Sequence, residues 1–360
     1  MYDRGWSDGL PLVPATRERV LRMLEGTSRS GDEVVALMPP NLVDCTVEKV
    51  AVNSVMAGCL PEYLPVVLAS LEAICTDDFN MHGVLATTMG VGPVLVVNGP
   101  IATRIGMNSG VNVLGHGNRA NATIGRAVQL VVRNVGGGAP GGVDRATHGS
   151  MSKLGFCFAE DEAGSPWTTL AEDRGFDRSQ DVVTAFCGEG PRILVDQKSR
   201  SAESLVRMLA EGLLASVSPR TVMGMDGLLV LSPEHMARFG DAGWDRPRFM
   251  EEIGKLLMVE TDGILAGAGG IEEGLPEGLS GLTLPKFRPG GLLVAHAGGA
   301  ACPGHVGEPL KLSAEGGDHS LEPDVLLRNY LSLAGPSLEK VLYFRQLRSS
   351  SFKPPGAHGP

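Results

Sequence analysis

The sequence predicts an α/β fold: mixed or parallel sheets with flanking helices, arranged as two pseudo-symmetric halves from an internal duplication. Three observations carry this. Short aliphatic runs bounded by Gly or Pro recur in VGPVLVVNGP (91–100), ILVD (193–196), DGLLVLS (226–232) and GGLLVAHAGG (290–299). Such runs are the pattern of strands buried on both faces. Segments of helical period lie between them. Finally, GPVLVVNGPIATRIG (92–106) and DGLLVLSPEHMARFG (226–240) share a shape. In each, a β run ends at a turn with Pro, and a helix-like segment closes on Arg-Ile-Gly or Arg-Phe-Gly. A longer amphipathic segment follows each, at 121–135 and 246–259.

The elements follow in order. Residues 1–40 form an arm rich in Pro and Gly, with one helix over Arg17 to Leu24 that Thr16 can cap. Thr46 caps the next helix, whose Val47, Val50, Ala51, Ser54 and Val55 share a face up to Gly58-Cys59. Pro61 starts PEYLPVVLASLEAI, with Leu64, Val67, Leu68, Leu71 and Ile74 as its buried stripe. Pro65 falls in the first turns, where a missing N–H is tolerated. Val94 to Val97 is a strand. A helix from Ala122 to Val135 stops at Gly136-Gly137-Gly138. Residues 140–164 are loop-rich, with a short strand at Phe156 to Phe158. Ser201 caps SAESLVRMLAEGLL, and Ser232-Pro233-Glu234 opens another helix. The expected divisions are the arm, a first α/β half at 41–190, a second at 191–345 and a disordered tail at 346–360.

Composition bounds the function. The net charge of the 360 residues is −10, which disfavours nucleic acid, because phosphate neutralisation supplies most of that affinity. No run approaches the ~20 apolar residues of a membrane helix, and the N-terminus has no secretory pattern, so a cytoplasmic protein is expected. Six cysteines include no CxxC pair, so no zinc ribbon is expected, and most thiols read as small core residues. With 49 glycines and 5% aromatics, many tight loops are expected and an aromatic-lined groove is not.

Ligands of open α/β sheets sit beyond the carboxyl ends of strands, which selects Asn98, Ser232 to His235 and His296 to Gly299. NSGVNVLGHGNRANATIGRA (108–127) is a Gly- and Asn-rich turn running into a helix. Asn118 or Asn121 can cap that helix, and its N-terminus with Arg119 and Arg126 attracts anions. It is not a P-loop, since no Gly-Lys-Ser/Thr follows. His116 within it, and His82 beside Thr87 and Thr88, are candidate acid–base and polar contacts. Cys59 sits near a helix N-terminus, a position that can activate a thiol. His148, Ser150 and Lys153 form a weaker nucleophile set with no G-x-S-x-G elbow. His296, Cys302 and His305 match no zinc spacing, so no metal site and no cofactor are assigned.

Several segments together resemble a bacterial family found beside, or fused to, the small UGSC-type (seleno)proteins. They are DRGWSDGLPLVPATRERV, VEKVAVNSVMAGCLPEYLPVVLASLEAI, FNMHGVLATTMG, NGPIATRIGMNSG, NRANATIGRAVQLVVRNVGG, SPWTTLAEDRGF and LVLSPEHMARFGDAGW, and the resemblance spans roughly residues 1 to 300. It implies a cytoplasmic enzyme or enzyme subunit working with a thiol or selenol partner of the UGSC type. This chain has no UGSC motif of its own, and its AHAGGAACPGH loop departs from the family pattern.

The expected function is an enzyme or enzyme subunit acting on a small polar or anionic metabolite, most readily by thiol- or selenol-coupled redox chemistry. A cofactor-independent lyase or hydrolase, and a non-catalytic scaffold for a UGSC-type protein, are the alternatives. Cys59, His82 and His116 are the expected catalytic groups. Thr87, Thr88, Asn98, Asn108, Asn118, Arg119, Asn121, His235 and His296 are the expected substrate contacts. A homo-oligomer is expected.

Overall fold

A computed structural model describes residues 1, 3–265, 278, 280–299, 328–333 and 340–343. The expected tail, Cys302 and His305 lie outside the described residues. The chain begins with α1 (Arg17–Leu24), whose N-cap Thr16 accepts from Arg19 N. A hairpin of β1 (Val34–Met38) and β2 (Val43–Thr46) follows, within a region whose sequence shows no clear alternation. Thr46 then caps α2 (Val47–Ala57), which ends at Gly58 in the left-handed region (φ 94°). Pro61–Tyr63 forms a 3-10 turn that leads into α3 (Leu64–Ile74), with Pro65 near its start. The short α4 (Met81–Ala86) precedes β3 (Gly92–Asn98), all seven residues of which are buried. After α5 (Pro100–Arg104) comes α6 (Arg119–Asn134). It starts three residues earlier than expected because Asn118, not Asn121, is the cap.

β4 (Phe156–Ala159), α7 (Leu170–Asp173), β5 (Val182–Gly188), β6 (Arg192–Val195) and α8 (Ala202–Ala215) complete the first pass. The second runs through β7 (Gly227–Leu231), α9 (Pro233–Asp241), α10 (Arg246–Leu256), β8 (Met258–Glu260), α11 (Thr261–Leu265), β9 (Thr283–Pro285) and β10 (Leu292–His296). β11 (Arg328–Leu333) and β12 (Lys340–Tyr343) follow. Among the described residues no helix is long and apolar enough to cross a membrane.

Two four-stranded mixed sheets form the frame, ordered β4-β3-β5-β12 and β10-β7-β11-β6. In the first, β3 runs parallel to β4 and antiparallel to β5, and β5 antiparallel to β12. In the second, β7 runs parallel to β10 and antiparallel to β11, and β11 antiparallel to β6. Order and directions are the same in both sheets. Each pass through the motif sends its last strand, β6 or β12, to the edge of the other sheet.

Strand alternation assigns the two faces of the second sheet. Leu228, Val230, Leu293 and Ala295 join the core built by α2, α3, α6 and the first sheet. Leu229, Leu231 and Val294 face α8, α9 and α10 instead, with Trp167, Phe239, Trp244 and Phe249 packed beneath them. The layers therefore run helix, sheet, sheet, helix.

The longer helix of each pass contains an Ile-Gly pair with different surroundings. In α6 a β-carbon on Gly125 would stand 2.7 Å from the backbone nitrogen of Phe156 on β4, whereas one on Gly254 in α10 would meet nothing within 4 Å. Gly125→Ala is expected to destabilise by about 1–3 kcal/mol through overpacking. Gly254→Ala is expected to stabilise by up to about 1 kcal/mol, because Ala loses less entropy than Gly in a helix. Urea denaturation of both variants checks the pair, and equal effects would contradict the close α6–β4 crossing.

Candidate functional site

β3, β4 and β10 direct their carboxyl ends to one place. β3 ends in Asn98, β4 is followed by Glu160-Asp161-Glu162, and β10 ends in His296. Glu160 is the centre. Its Oε2 accepts from Asn98 Nδ2 at 2.7 Å and from the Leu170 N–H at 2.9 Å. Its Oε1 accepts from the His296 N–H at 3.3 Å. Glu162 Oε1 accepts from Asn98 Nδ2 at 2.9 Å and from the Gly99 N–H at 2.7 Å. His296 Nδ1 lies 3.1 Å from the Asp161 carbonyl oxygen, and the Asp161 N–H donates back to the His296 carbonyl at 2.8 Å. Asn98 Oδ1 and His296 Nε2 are buried without a hydrogen-bond partner among the described residues.

Burial sets the chemistry of Glu160. The side chain is 4% exposed, and loss of water pushes its carboxyl up to about 7. The donors from Asn98, Leu170 and His296, with the field of Arg246, hold it from rising further. Arg246 opens α10 behind the Asp245 cap. It donates to the Val294 carbonyl at 2.6 Å and the Thr168 carbonyl at 3.1 Å, and pairs with Asp173. Its charge is thereby committed to holding α7 and β10 together.

Gly164 closes the turn over His296. Its N–H donates to Asp161 Oδ1 at 3.1 Å. A β-carbon there would lie 2.3 Å from Asp161 Oδ2 and 3.1 Å from His296 Cε1, so glycine permits this close cover.

The sequence-selected residues divide into groups. Asn98 and His296 lie in the cluster. The loop holding Asn108 and His116 runs beside it, where the Gly298 N–H donates to Ser109 O. Its asparagines are occupied in building that loop. Asn121 Oδ1 accepts from Asn108 N, Asn121 Nδ2 donates to Asn108 O, and Asn118 Nδ2 donates to Gly106 O while Asn118 Oδ1 caps α6. His116 is exposed. Arg119 donates to the Gly58 carbonyl at 2.9 Å, and Arg126 pairs with Asp8 of the N-terminal arm at 2.8 Å. His235 is buried on α9, beyond the end of β7, within the field of Asp196.

His82, Thr87 and Thr88 sit ahead of β3, at the opposite end from Asn98. Thr88 there accepts from the Thr147 N–H. Nearby, Lys153 pairs with Asp144 at 2.9 Å and Ser150 donates to Gly90 O, so neither forms a nucleophile pair. Cys59 is buried, its thiol donates to Thr123 O at 3.3 Å, and burial pushes it up to about 12. It is protonated at neutral pH, and its neighbourhood does not activate it.

Glu160, Asp161, Glu162 and Arg246 are site residues that sequence reasoning missed. A signal existed for the first three. The rule that selected Asn98 and His296, polar residues just after a strand, applies equally to Glu-Asp-Glu after the short FCFA run. An apolar cavity lies at the other end of β10, lined by Met250, Ile253, Leu257, Phe287 and Leu292, with no part in this cluster. Among the described residues no group of three His, Cys, Asp or Glu is placed to hold a metal ion.

The fold and cluster thus define an α/β chain with a buried carboxyl–amide–imidazole set between two related sheets. Comparison with family models, curated proteins and solved structures finds no match to this chain.

The raised carboxyl has a consequence for stability. A group whose folded pKa lies above its ordinary 4.5 holds its proton more tightly in the folded state. Its stabilising contribution is full below about 4.5 and is lost as pH rises towards about 7. Glu160→Gln removes this titration. The stability of the wild type minus that of Glu160→Gln should fall by on the order of 3 kcal/mol between those two pH values. Urea unfolding from about pH 4 to about pH 8 checks this, and a flat difference would refute the assignment.

Proposed function

We propose that this chain is an enzyme, or an enzyme subunit, that performs general acid–base chemistry on a small polar metabolite. The reaction type is a cofactor-independent lyase or hydrolase step at the carboxyl ends of β3, β4 and β10. The observation that carries this reading is Glu160, a carboxyl poised near neutrality and fixed by three N–H donors. Such a group gives and takes a proton at physiological pH with little penalty in either direction. His296 complements it. The Asp161 carbonyl can only accept, so the ring proton belongs on Nδ1 and Nε2 presents a lone pair. Asn98 positions both carboxylates through one amide.

The test is conversion of a panel of small polar metabolites, followed by mass spectrometry, with wild type and Glu160→Gln. Glu160→Gln is expected to lower turnover by about 10²- to 10⁴-fold while circular dichroism stays native. Turnover unchanged in Glu160→Gln would sink the reading.

A second reading is favoured by the state of the thiols. Cys45 is pushed up to about 11 and Cys75, like Cys59, to about 12, all by burial, and Cys157 is raised by the same cause. None of these is a thiolate at neutral pH. If the reaction is redox, these four supply no thiolate, and a partner's thiol or selenol, of the kind the resemblance to UGSC-associated proteins implies, takes that role. Size-exclusion chromatography of the chain mixed with a UGSC-type protein is then expected to show a joint peak. Separate elution at micromolar concentrations would remove this reading.

A further inference from the structure

Among the described residues, the buried side-chain atoms left open at the cluster are acceptors. Asn98 Nδ2 faces Glu160 Oε2 and Glu162 Oε1, which already accept from the Leu170 and Gly99 N–H groups, so the amide nitrogen and not its oxygen belongs there. Asn98 Oδ1 therefore stands as a lone acceptor, on a side chain 1% exposed. His296 is 2% exposed, and with its proton on Nδ1 its Nε2 is a second lone acceptor. Each buried acceptor without a donor destabilises the folded state until a ligand supplies one. Glu162 and Asp161, half-buried beside the exposed turn at Ala163-Gly164, add two carboxylates at the mouth.

Among the described residues no Lys or Arg side chain is bonded to Glu160, Asp161 or Glu162. Arg246 is committed to Val294, Thr168 and Asp173. Arg119 and Arg126, expected from sequence to hold an anion, bond Gly58 and Asp8 instead. An anionic ligand here would meet the carboxylates of Asp161 and Glu162 and the open acceptors of Asn98 and His296, with no Lys or Arg side chain of the described residues free to pair with it. Nor do the described residues gather three metal-ligating side chains of the usual types.

We infer that this site binds a small organic cation rich in N–H groups, an alkylammonium or guanidinium, held by Asn98 Oδ1, His296 Nε2 and Glu162. The inference rests on the acid–base reading of the same site and names its substrate class. A protonated amine supplies three donors and no acceptor, and a guanidinium five, which matches an all-acceptor site. Entry is across the Asp161–Gly164 turn, the exposed side of the cluster.

The experiment is calorimetric titration of the whole chain, freed of metal by chelation, with propylammonium, methylguanidinium and the isosteric anion propionate. Magnesium chloride is a fourth titrant. The cations are expected to bind with Kd on the order of 1 mM, and propionate not to bind. Glu162→Gln keeps an acceptor for the Gly99 N–H and removes the charge, so it should weaken cation binding by about tenfold. Propionate or magnesium binding as tightly as the cations would overturn the inference. So would cation affinity unchanged in Glu162→Gln, or no binding of either cation below about 50 mM. Failure of the substrate class is distinguishable from failure of the site. Propionate binding that is lost in His296→Ala leaves the acid–base site standing and removes the cation. Cation binding weakened by Glu162→Gln, with turnover indifferent to Glu160→Gln, does the reverse.

Discussion

The candidate site depends on one buried carboxyl. Glu160 follows β4 in the first sheet, and its two oxygens reach β3 through Asn98, the start of α7 through Leu170, and β10 in the second sheet through the His296 N–H. The neighbouring Asp161 N–H bonds the His296 carbonyl, so the contact is doubled at the backbone. Elsewhere the sheets meet through apolar side chains, Leu228, Val230, Leu293 and Ala295 from the second sheet among them. Apolar packing is non-directional and leaves the relative slide of two sheets open. Hydrogen bonds to one carboxyl add direction at the strand ends, because their geometry is narrow. The same bonds place a neutral-range acid where two sheets and a helix start converge.

The symmetry of the two sheets shows which parts of this arrangement belong to the frame. In the first sheet the Glu160 N–H bonds Val97 O at 3.1 Å; in the second, the Ala297 N–H bonds Leu231 O at 3.2 Å. The strand registers, Val97 opposite Ala159 and Leu231 opposite His296, make these equivalent positions. Asn98 then corresponds to Ser232, and Glu160 to Ala297. The backbone device is kept in both passes, and the amide–carboxyl pair exists in one. The longer helices keep a common start too: Asn118 then Arg119 in α6, Asp245 then Arg246 in α10, each cap accepting from the third helical N–H.

Much of the frame was legible in the sequence because it rests on local signals. β-branched runs, Pro and Gly boundaries and capping residues gave β3, β7, β10, α1, α2 and α8. The shared shape of 92–106 and 226–240 pointed to the duplication. Other elements escaped. β5 reads as VVTAFCG, a run that opens on Val-Val-Thr and is closed by Gly188 and Gly190-Pro191, so its strand signal is local, and its place between β3 and β12 is what only the fold shows. The hairpin of β1 and β2 escaped for a different reason: its strands straddle the end of the arm at Pro39-Pro40 and show no alternation. At the site, strand-end logic found Asn98 and His296. Asn108, Asn118 and Asn121 looked like ligand groups because Asn side chains that stitch a loop and Asn side chains that bind substrate are the same in sequence. Which one is present depends on whether both ends of the amide are already bonded, and only the fold shows that.

The second pass also serves as an internal control on why the cluster exists. At Ala297 the chain leaves β10 with the same backbone bond and no buried charge. A buried carboxyl is costly even when hydrogen-bonded, and an apolar replacement is often neutral or stabilising. The frame therefore does not require Glu160, since its duplicate closes the equivalent corner with a methyl group. Nor does it require the lone acceptors on Asn98 and His296, each of which raises the free energy of the folded state. Polar groups that a fold can omit, that destabilise it when left open, and that collect at the carboxyl ends of parallel strands are the mark of a ligand site. The groups of the proposed ligand site accordingly come from the first half, Asn98 and Glu160 to Glu162, completed by His296 with Arg246 behind it from the second.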